Sequence, residues 1–564
     1  MNLETRKTLA AGLSLILLGL AIFLPTLGKL PLIRSEAMYA VIPQEMLDSG
    51  QWLTPMLNGA RYLDKPPMLY WINLVAFKLF GVSDVVARLP TFGLALGELL
   101  ATFLIGKTLF SRRAGWLASV ILLTNIGFFI LHEELLTDHL ITLTLAWAIY
   151  FLLRWWRQPN PANAMAFHLC LAVGLLSKGF IGLVFPIAIG GLFAVLLWDS
   201  QTWRILLHPL GLLVFAVISL PWFIAMEIHH PGFLYYHVVN EQIGRFLGMR
   251  VPLDIVGFSI PMFWLFVLIW LMPWTPFLPT ALARLWPRQW FPLRPECQGP
   301  ALLILWAGIV LGFFTLCSLR IEYYSLPALP PLALALGWRL EQFLVNPRDW
   351  AIAASLSLLP LMTIGMAALV PLFEQVCTNN RREFLEMFEL LRPIAHQVKF
   401  LLPALGLGSA LLGWLKRPRL CLLAVSTTAL VLLYFTFQCM VILSPNLSDR
   451  LMGEYIRQHA GLNDLVIMES IEEFEYGASL RFYAQRPILM VKRHGLPRFG
   501  FPVPPEHNYL ITPDQLRDLW TTHNRVYLLN DDAIPMDTFL DHAPVALAAG
   551  GKHLLTNQPL PDSQ

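Results

Sequence analysis

Charge is scarce in this chain. Only 14% of its 564 residues are charged, against 56% hydrophobic. One soluble core cannot absorb so much apolar surface, so a bilayer must be the main solvent, in keeping with a mean hydropathy of +0.59. The net charge is only +3, which leaves no broad basic surface for nucleic acid. The six cysteines, Cys170, Cys297, Cys317, Cys377, Cys421 and Cys439, are scattered without CxxC or Cys/His spacing. That argues against a disulfide framework and against a structural zinc site. GxGxxG and Walker patterns are absent, and so is any repeat of fixed period, which counts against a nucleotide fold and an inverted-repeat transporter. The basic start MNLETRKT runs into an apolar stretch with no small-residue cleavage site, and reads as a retained first helix.

What is present is a series of long apolar runs. Windows of roughly 20 residues give about 13 transmembrane helices. They fall near 9–29, 86–108, 114–131, 139–156, 164–177, 180–198, 205–226, 256–280, 300–317, 325–343, 350–372, 398–415 and 420–443. With the N-terminus inside, the alternate loops hold Lys107/Arg112/Arg113, Arg154/Arg157, Arg204, Arg284/Arg288/Arg294, Arg339/Arg348 and Lys416/Arg417/Arg419. All are basic, as cytoplasmic loops should be. Merging the fifth and sixth spans across Lys178-Gly179 would move the later basic loops outside, so that stretch is read as interrupted. Residues 1–445 thus form a multi-pass α-helical membrane unit with a large outer loop over 30–84. From 446 to 564 the pattern changes to short buried strands near 465, 488, 509 and 526, with amphipathic helices over 449–459 and 513–522. It predicts a small α/β domain on the outer side.

The outer loops carry the chemistry. In the first, RSEAMYAVIPQEMLDSGQW begins at Arg34 and RYLDKPPMLYWI at Arg61. Glu36 lies in a segment that suits an interfacial helix, where a solvated glutamate would be unremarked. Lys65, after Tyr62 and Asp64, is fixed by two following prolines and is suited to hold a phosphate as a point charge rather than merely to snorkel. HEELLTDH sets Glu133, Glu134 and Asp138 at an outer edge, where an acid also suits a helix start. Lys178, flanked by apolar residues, costs up to about 2.5–3.5 kcal/mol in a bilayer and needs an anionic partner. The later loops add His229, His230, His237, Glu241 and Arg245, then Arg320, Tyr323 and Tyr324. Glu241 and Arg245 also suit a plain helix ion pair, and the histidines lack metal-ligand spacing.

These residues resemble a known group, the GT-C membrane glycosyltransferases, and within it the aminoarabinose-to-lipid A transferases and the protein O-mannosyltransferases. The likeness rests on Ser35-Glu36, Tyr39-Ala40, Glu45-Met46-Leu47 and the run from Tyr62 through Lys65-Pro66-Pro67 to Tyr70-Trp71. Asp138, Ser177-Lys178-Gly179, Glu241 with Arg245-Phe246, and Arg320 with Tyr324 through Pro327 follow in order. The resemblance implies a sugar donor on a polyprenyl (undecaprenyl) phosphate, transferred with inversion on the periplasmic side of a bacterial inner membrane. The acceptor would be lipid A or another envelope lipid, or alternatively a protein. It implies Glu36, Asp138 and Lys65 as catalytic residues and Tyr62, Lys65, Lys178, Arg245, Arg320 and Tyr324 as donor-binding residues. Asp64 and Glu241 stand at its metal-associated positions, where Asp64 replaces the family's glutamate and Gln242 the histidine after Glu241, so a divalent metal ion is a candidate there and not a requirement. One departure stands out. Ser35 occupies the family's leading aspartate, and serine cannot serve as a base. A lipid-linked substrate transporter or a non-catalytic scaffold is the reading from another class.

Overall fold

The computed structural model describes residues 2–251, 257–287, 289–291, 293–379, 382–469, 477–491, 509–531, 538–540 and 542–558. Arg288, Asp254 and the side chains of Ser35 and Cys377 lie outside the described set.

Helix α1 (Leu3–Phe23) starts on Asn2, whose side chain accepts the Thr5 N–H. After it come α2 (Arg34–Ser49), the strands β1 (Met56–Leu57) and β2 (Ala60–Arg61), and α3 (Met68–Phe80). Next are α4 (Asp84–Leu109), α5 (Arg112–Thr124), α6 (Ile126–His132), α7 (Thr137–Arg157), α8 (Pro161–Lys178) and α9 (Ile181–Leu197). Side-chain caps begin several of them: Ser83 for α4, Ser111 for α5 and Asn125 for α6, each satisfying an amide that the helix leaves open. Asn125 also marks a 60° bend between α5 and α6.

Among the described residues seven helices are long and apolar enough to cross a bilayer, or up to nine if each of two bent pairs is one span. The chain is a multi-pass helical membrane protein. The other four expected spans coincide with α7, α8, α9 and Leu329–Val345. The first two carry ionisable residues, and the last two have 17 residues each. The expected interruption is a real break: α8 ends at Lys178, Gly179 takes φ +83°, and α9 begins two residues on. The two helices then cross closely, because a Cβ on Gly182 would fall 2.2 Å from the Gly174 carbonyl carbon.

The C-terminal stretch folds as a six-stranded sheet of order β5-β4-β3-β6-β8-β7. Its strands are β3 (Leu465–Glu469), β4 (Leu489–Val491), β5 (Leu510–Ile511), β6 (Val526–Asp531), β7 (Val545–Ala549) and β8 (Lys552–Thr556). The four strands expected from their apolar runs are parallel neighbours, while β7 and β8 add an antiparallel hairpin on β6. Gly550 and Gly551 turn that hairpin with positive φ, a turn signal present in the sequence.

Although far apart in the chain, the segment between α1 and α4 and this sheet share one core. Leu32, Met38, Tyr39 and Tyr70 pack with Met452, Val466, Tyr483 and Met490. Polar contacts lock the same seam. The Tyr483 hydroxyl accepts the Leu32 N–H at 2.7 Å, and Asn58 pairs with both backbone groups of Ile488.

Candidate functional site

An Asn58-Gly59 turn, both residues at positive φ, joins β1 to β2 and sends the chain into Tyr62 to Lys65. Pro66 and Pro67 stop the extended segment, and Pro67 is the first cap of α3. Lys65 is thereby held at the foot of α3 with its side chain 14% exposed and its ammonium 3.9 Å from Glu241. Glu241 lies on a π-helical turn, Tyr236–Gly244, which leads into the short helix Arg245–Leu247.

Four cations and three carboxylates converge here. Arg250 donates to Glu241 at 2.5 Å and to Asp64 at 2.7 Å, and the Tyr236 hydroxyl donates to the other Asp64 oxygen at 2.5 Å. Arg245 reaches Glu241 at 3.3 Å. Lys178 donates to both oxygens of Asp138 at 2.6 Å and lies 4.4 Å above the Tyr324 ring. The anionic partner that Lys178 required is therefore Asp138. Burial raises the Glu241 carboxyl, but Lys65, Arg245 and Arg250 outweigh it and hold its pKa at about 2. Asp64 goes the other way, raised by burial and by Glu241 beside it. Burial and then Arg245 lower the Lys65 pKa. An anion in front of Lys65 would reverse that last effect.

These groups end a cavity of about 260 Å³. Lys65, Lys178, Glu241, Gln242, Arg245 and Tyr324 give its polar lining, and Phe180, Val184, Phe246, Leu247, Phe313 and Phe314 much of its apolar lining. A cationic end on an apolar slot suits an amphiphile with an anionic head.

Not every expected residue is here. Glu36 is buried, with Arg88 at 2.9 Å on each of its oxygens. It also accepts the backbone N–H of Ile33 and of Leu135, capping its own helix. Burial raises its pKa, with Arg88 opposing. Glu36 thus ties α2 to α4 and to the loop before α7, and it does not line the cavity where Lys65 lies. Arg320 donates to the Phe258 carbonyl at 2.7 Å and does not line the cavity. Tyr62 is buried among the α2 and α3 side chains, away from the cavity. The metal expectation at Asp64 and Glu241 does not fit either. The Arg250 guanidinium bridges the two carboxylates and takes the position a cation would need. Sequence reading missed Arg88, Arg250 and Tyr236, since no spacing along the chain ties them to Glu36, Glu241 or Asp64. Glu98, His132 and His139 also come together as three metal-capable side chains. Glu98, an acid inside an apolar helix, was a readable signal for that cluster.

The helical bundle is a polytopic fold of the GT-C type. Residues 64–229 match the family described as dolichyl-phosphate-mannose-protein mannosyltransferase. An undecaprenyl phosphate-alpha-4-amino-4-deoxy-L-arabinose arabinosyl transferase of Erwinia tasmaniensis is 30% identical over 315 residues, 54% of each chain. Its counterpart in Edwardsiella ictaluri is 30% identical over 57% of this chain and 58% of that one. The chain thus spans about half the length of the curated relatives it matches. In three dimensions the likeness is fuller. ArnT from Cupriavidus metallidurans bound to undecaprenyl phosphate superposes with TM-score 0.81 at 20% identity, covering 97% of this chain and 98% of that one. The apo form gives 0.79 at 21%. At such identities the likeness establishes the fold. The chain resembles the aminoarabinose transferases and the protein mannosyltransferases among GT-C enzymes.

Proposed function

We propose that this chain transfers a sugar from a polyprenyl phosphate to an envelope acceptor, with lipid A as the preferred class. The observation that carries this is the cavity whose apolar wall ends in Lys65, Lys178, Arg245 and Tyr324. A prenyl chain suits the wall and a phosphodiester suits the end, where cations exceed carboxylates by one. In the reaction the bond between anomeric carbon and phosphate oxygen breaks while the acceptor oxygen attacks from the opposite face. The leaving phosphate gains charge, and Lys65 and Arg245 stabilise it there. Glu36 is tied to Arg88 and Asp138 to Lys178, so no carboxylate of these two stands ready to take a proton. That favours an acceptor already anionic, such as a lipid A phosphate, over a protein hydroxyl, which would need a base.

The finer topology belongs to the same reading: about 13 spans, an inner-membrane location, a cytoplasmic N-terminus, and the C-terminal sheet on the periplasmic side with the outer loop. Purified protein in vesicles with a labelled polyprenyl-phosphate sugar and a lipid A acceptor tests it. Transfer should occur and should collapse in Lys65→Ala with an unchanged elution profile. Undiminished transfer by that variant sinks the role given to Lys65. Mass spectrometry of envelope lipids and glycoproteins from cells with and without the protein separates lipid from protein acceptors.

A further inference from the structure

A second buried polar cluster lies away from the amphiphile cavity. Glu98 sits midway along α4, His132 ends α6 and His139 lies in the first turn of α7. All three side chains are wholly buried, and one ligand atom from each falls within 4.8 Å of the others.

Hydrogen bonds decide which ring nitrogens carry protons. His132 Nδ1 is 2.7 Å from the Phe128 carbonyl and His139 Nε2 is 3.1 Å from the Glu134 carbonyl. A carbonyl only accepts, so both of those nitrogens carry protons, and the lone pairs are on His132 Nε2 and His139 Nδ1. His132 Nε2 is 3.3 Å from Glu98 Oε1. His139 Nδ1 and Glu98 Oε2 have no hydrogen-bond partner. Two imidazoles, their ring centroids 4.1 Å apart and tilted by 33°, and a carboxyl thus bring ligand atoms within 4.8 Å of one another in a dry place, walled by the rings of Phe23 and Phe128. One proton on Glu98 can satisfy His132 alone and leaves His139 Nδ1 unmet, which is costly for a buried group. A dication satisfies all three.

We propose that Glu98, His132 and His139 hold a zinc-class divalent transition-metal ion that clamps α4, α6 and α7 together. Two imidazoles and a carboxylate are a borderline-soft donor set, which suits zinc and its neighbours over magnesium or calcium, whose ligands are oxygens. The backbone carbonyls behind both rings are the outer partners that orient metal-binding histidines. Ligand atoms around such an ion stand about 3.4 Å apart, so the three side chains draw in slightly on binding. The clamp would fix the loop over 133–136, and with it Asp138, the neighbour of His139 that takes Lys178.

The test is metal analysis of the full chain, purified in detergent from zinc-supplemented cells without a histidine tag or chelator. About one ion per chain is expected. X-ray absorption should show two imidazoles and a carboxylate oxygen at about 2.0–2.2 Å. Glu98→Gln and His139→Gln should each lower the metal content at least about tenfold, with a normal elution profile. Protein that stays metal-free after equilibration with zinc, or retention undiminished in either variant, overturns the proposal. Should the variants fail to fold, the absorption spectrum of the unmodified protein decides: one imidazole or none refutes the site.

Discussion

Two of the buried polar clusters among the described residues are completed in opposite ways. Around Asp64 and Glu241 the chain supplies its own cations, with Arg250 across both carboxylates and Lys65 and Arg245 at the edge. Around Glu98 it supplies two imidazoles, each with one nitrogen held by a backbone carbonyl and the other left as an acceptor. The lesson is in the sign of what is left over. A surplus of protein cations leaves room for an anionic head, whereas neighbouring acceptors without a shared donor call for a cation from outside. The same residue types, Glu beside His or Arg, thus serve different ligands according to how far each cluster is already neutralised.

The comparison breaks most sharply at Arg250. Arg250→Ala leaves Asp64 and Glu241 buried without their shared partner, and should cost about 3–5 kcal/mol of stability. Thermal unfolding in detergent, followed by tryptophan fluorescence, reads that loss. Arg250→Met with Asp64→Asn and Glu241→Gln should recover most of it, since the charges leave together. Next comes Lys65→Ala, which should leave stability nearly intact yet slow transfer on the order of 10²–10³-fold, the effect of removing one preorganised donor to a developing oxyanion. Initial rates in vesicles measure it.

A gentler test lies between the clusters, in the loop after α6. Burial pushes Glu134 up to about 8 from its ordinary 4.5, with Glu36 and Glu322 adding to the rise. Such a carboxyl binds its proton more tightly folded than unfolded. Its stabilising contribution is full below the unfolded pKa, declines as pH rises from 4.5, and is gone above about 8. Glu134→Gln should flatten that decline, which unfolding curves across the pH range would show as a smaller slope. The smallest effect is expected at Arg320. Arg320→Ala loses its bond to the Phe258 carbonyl, about 1 kcal/mol, and should leave donor affinity unchanged in a binding titration.

Much of this was legible before any coordinates. The break after Lys178 followed from the alternation of basic loops, the need of Lys178 for an anion followed from its apolar flanks, and both appear in the fold. The four parallel strands were readable from their short apolar runs. The hairpin of β7 and β8 was not, because VALAA and KHLLT are neither strongly β-branched nor cleanly alternating, although the glycine pair between them was a usable sign. The partner of Glu36 was hidden for a different reason. An acid at a membrane edge looks the same whether it faces solvent or, as here, Arg88.

Sequence by itself determined the membrane class, the breaks between helices and the loops that carry polar residues, because hydropathy and turn chemistry act over one or two dozen neighbours. Only the tertiary structure decided which of those polar groups are already neutralised. Tyr236 meets Asp64 across 172 residues and Arg250 meets it across 186. Coulomb energy and desolvation depend on distance in space and on burial, neither of which a local pattern contains.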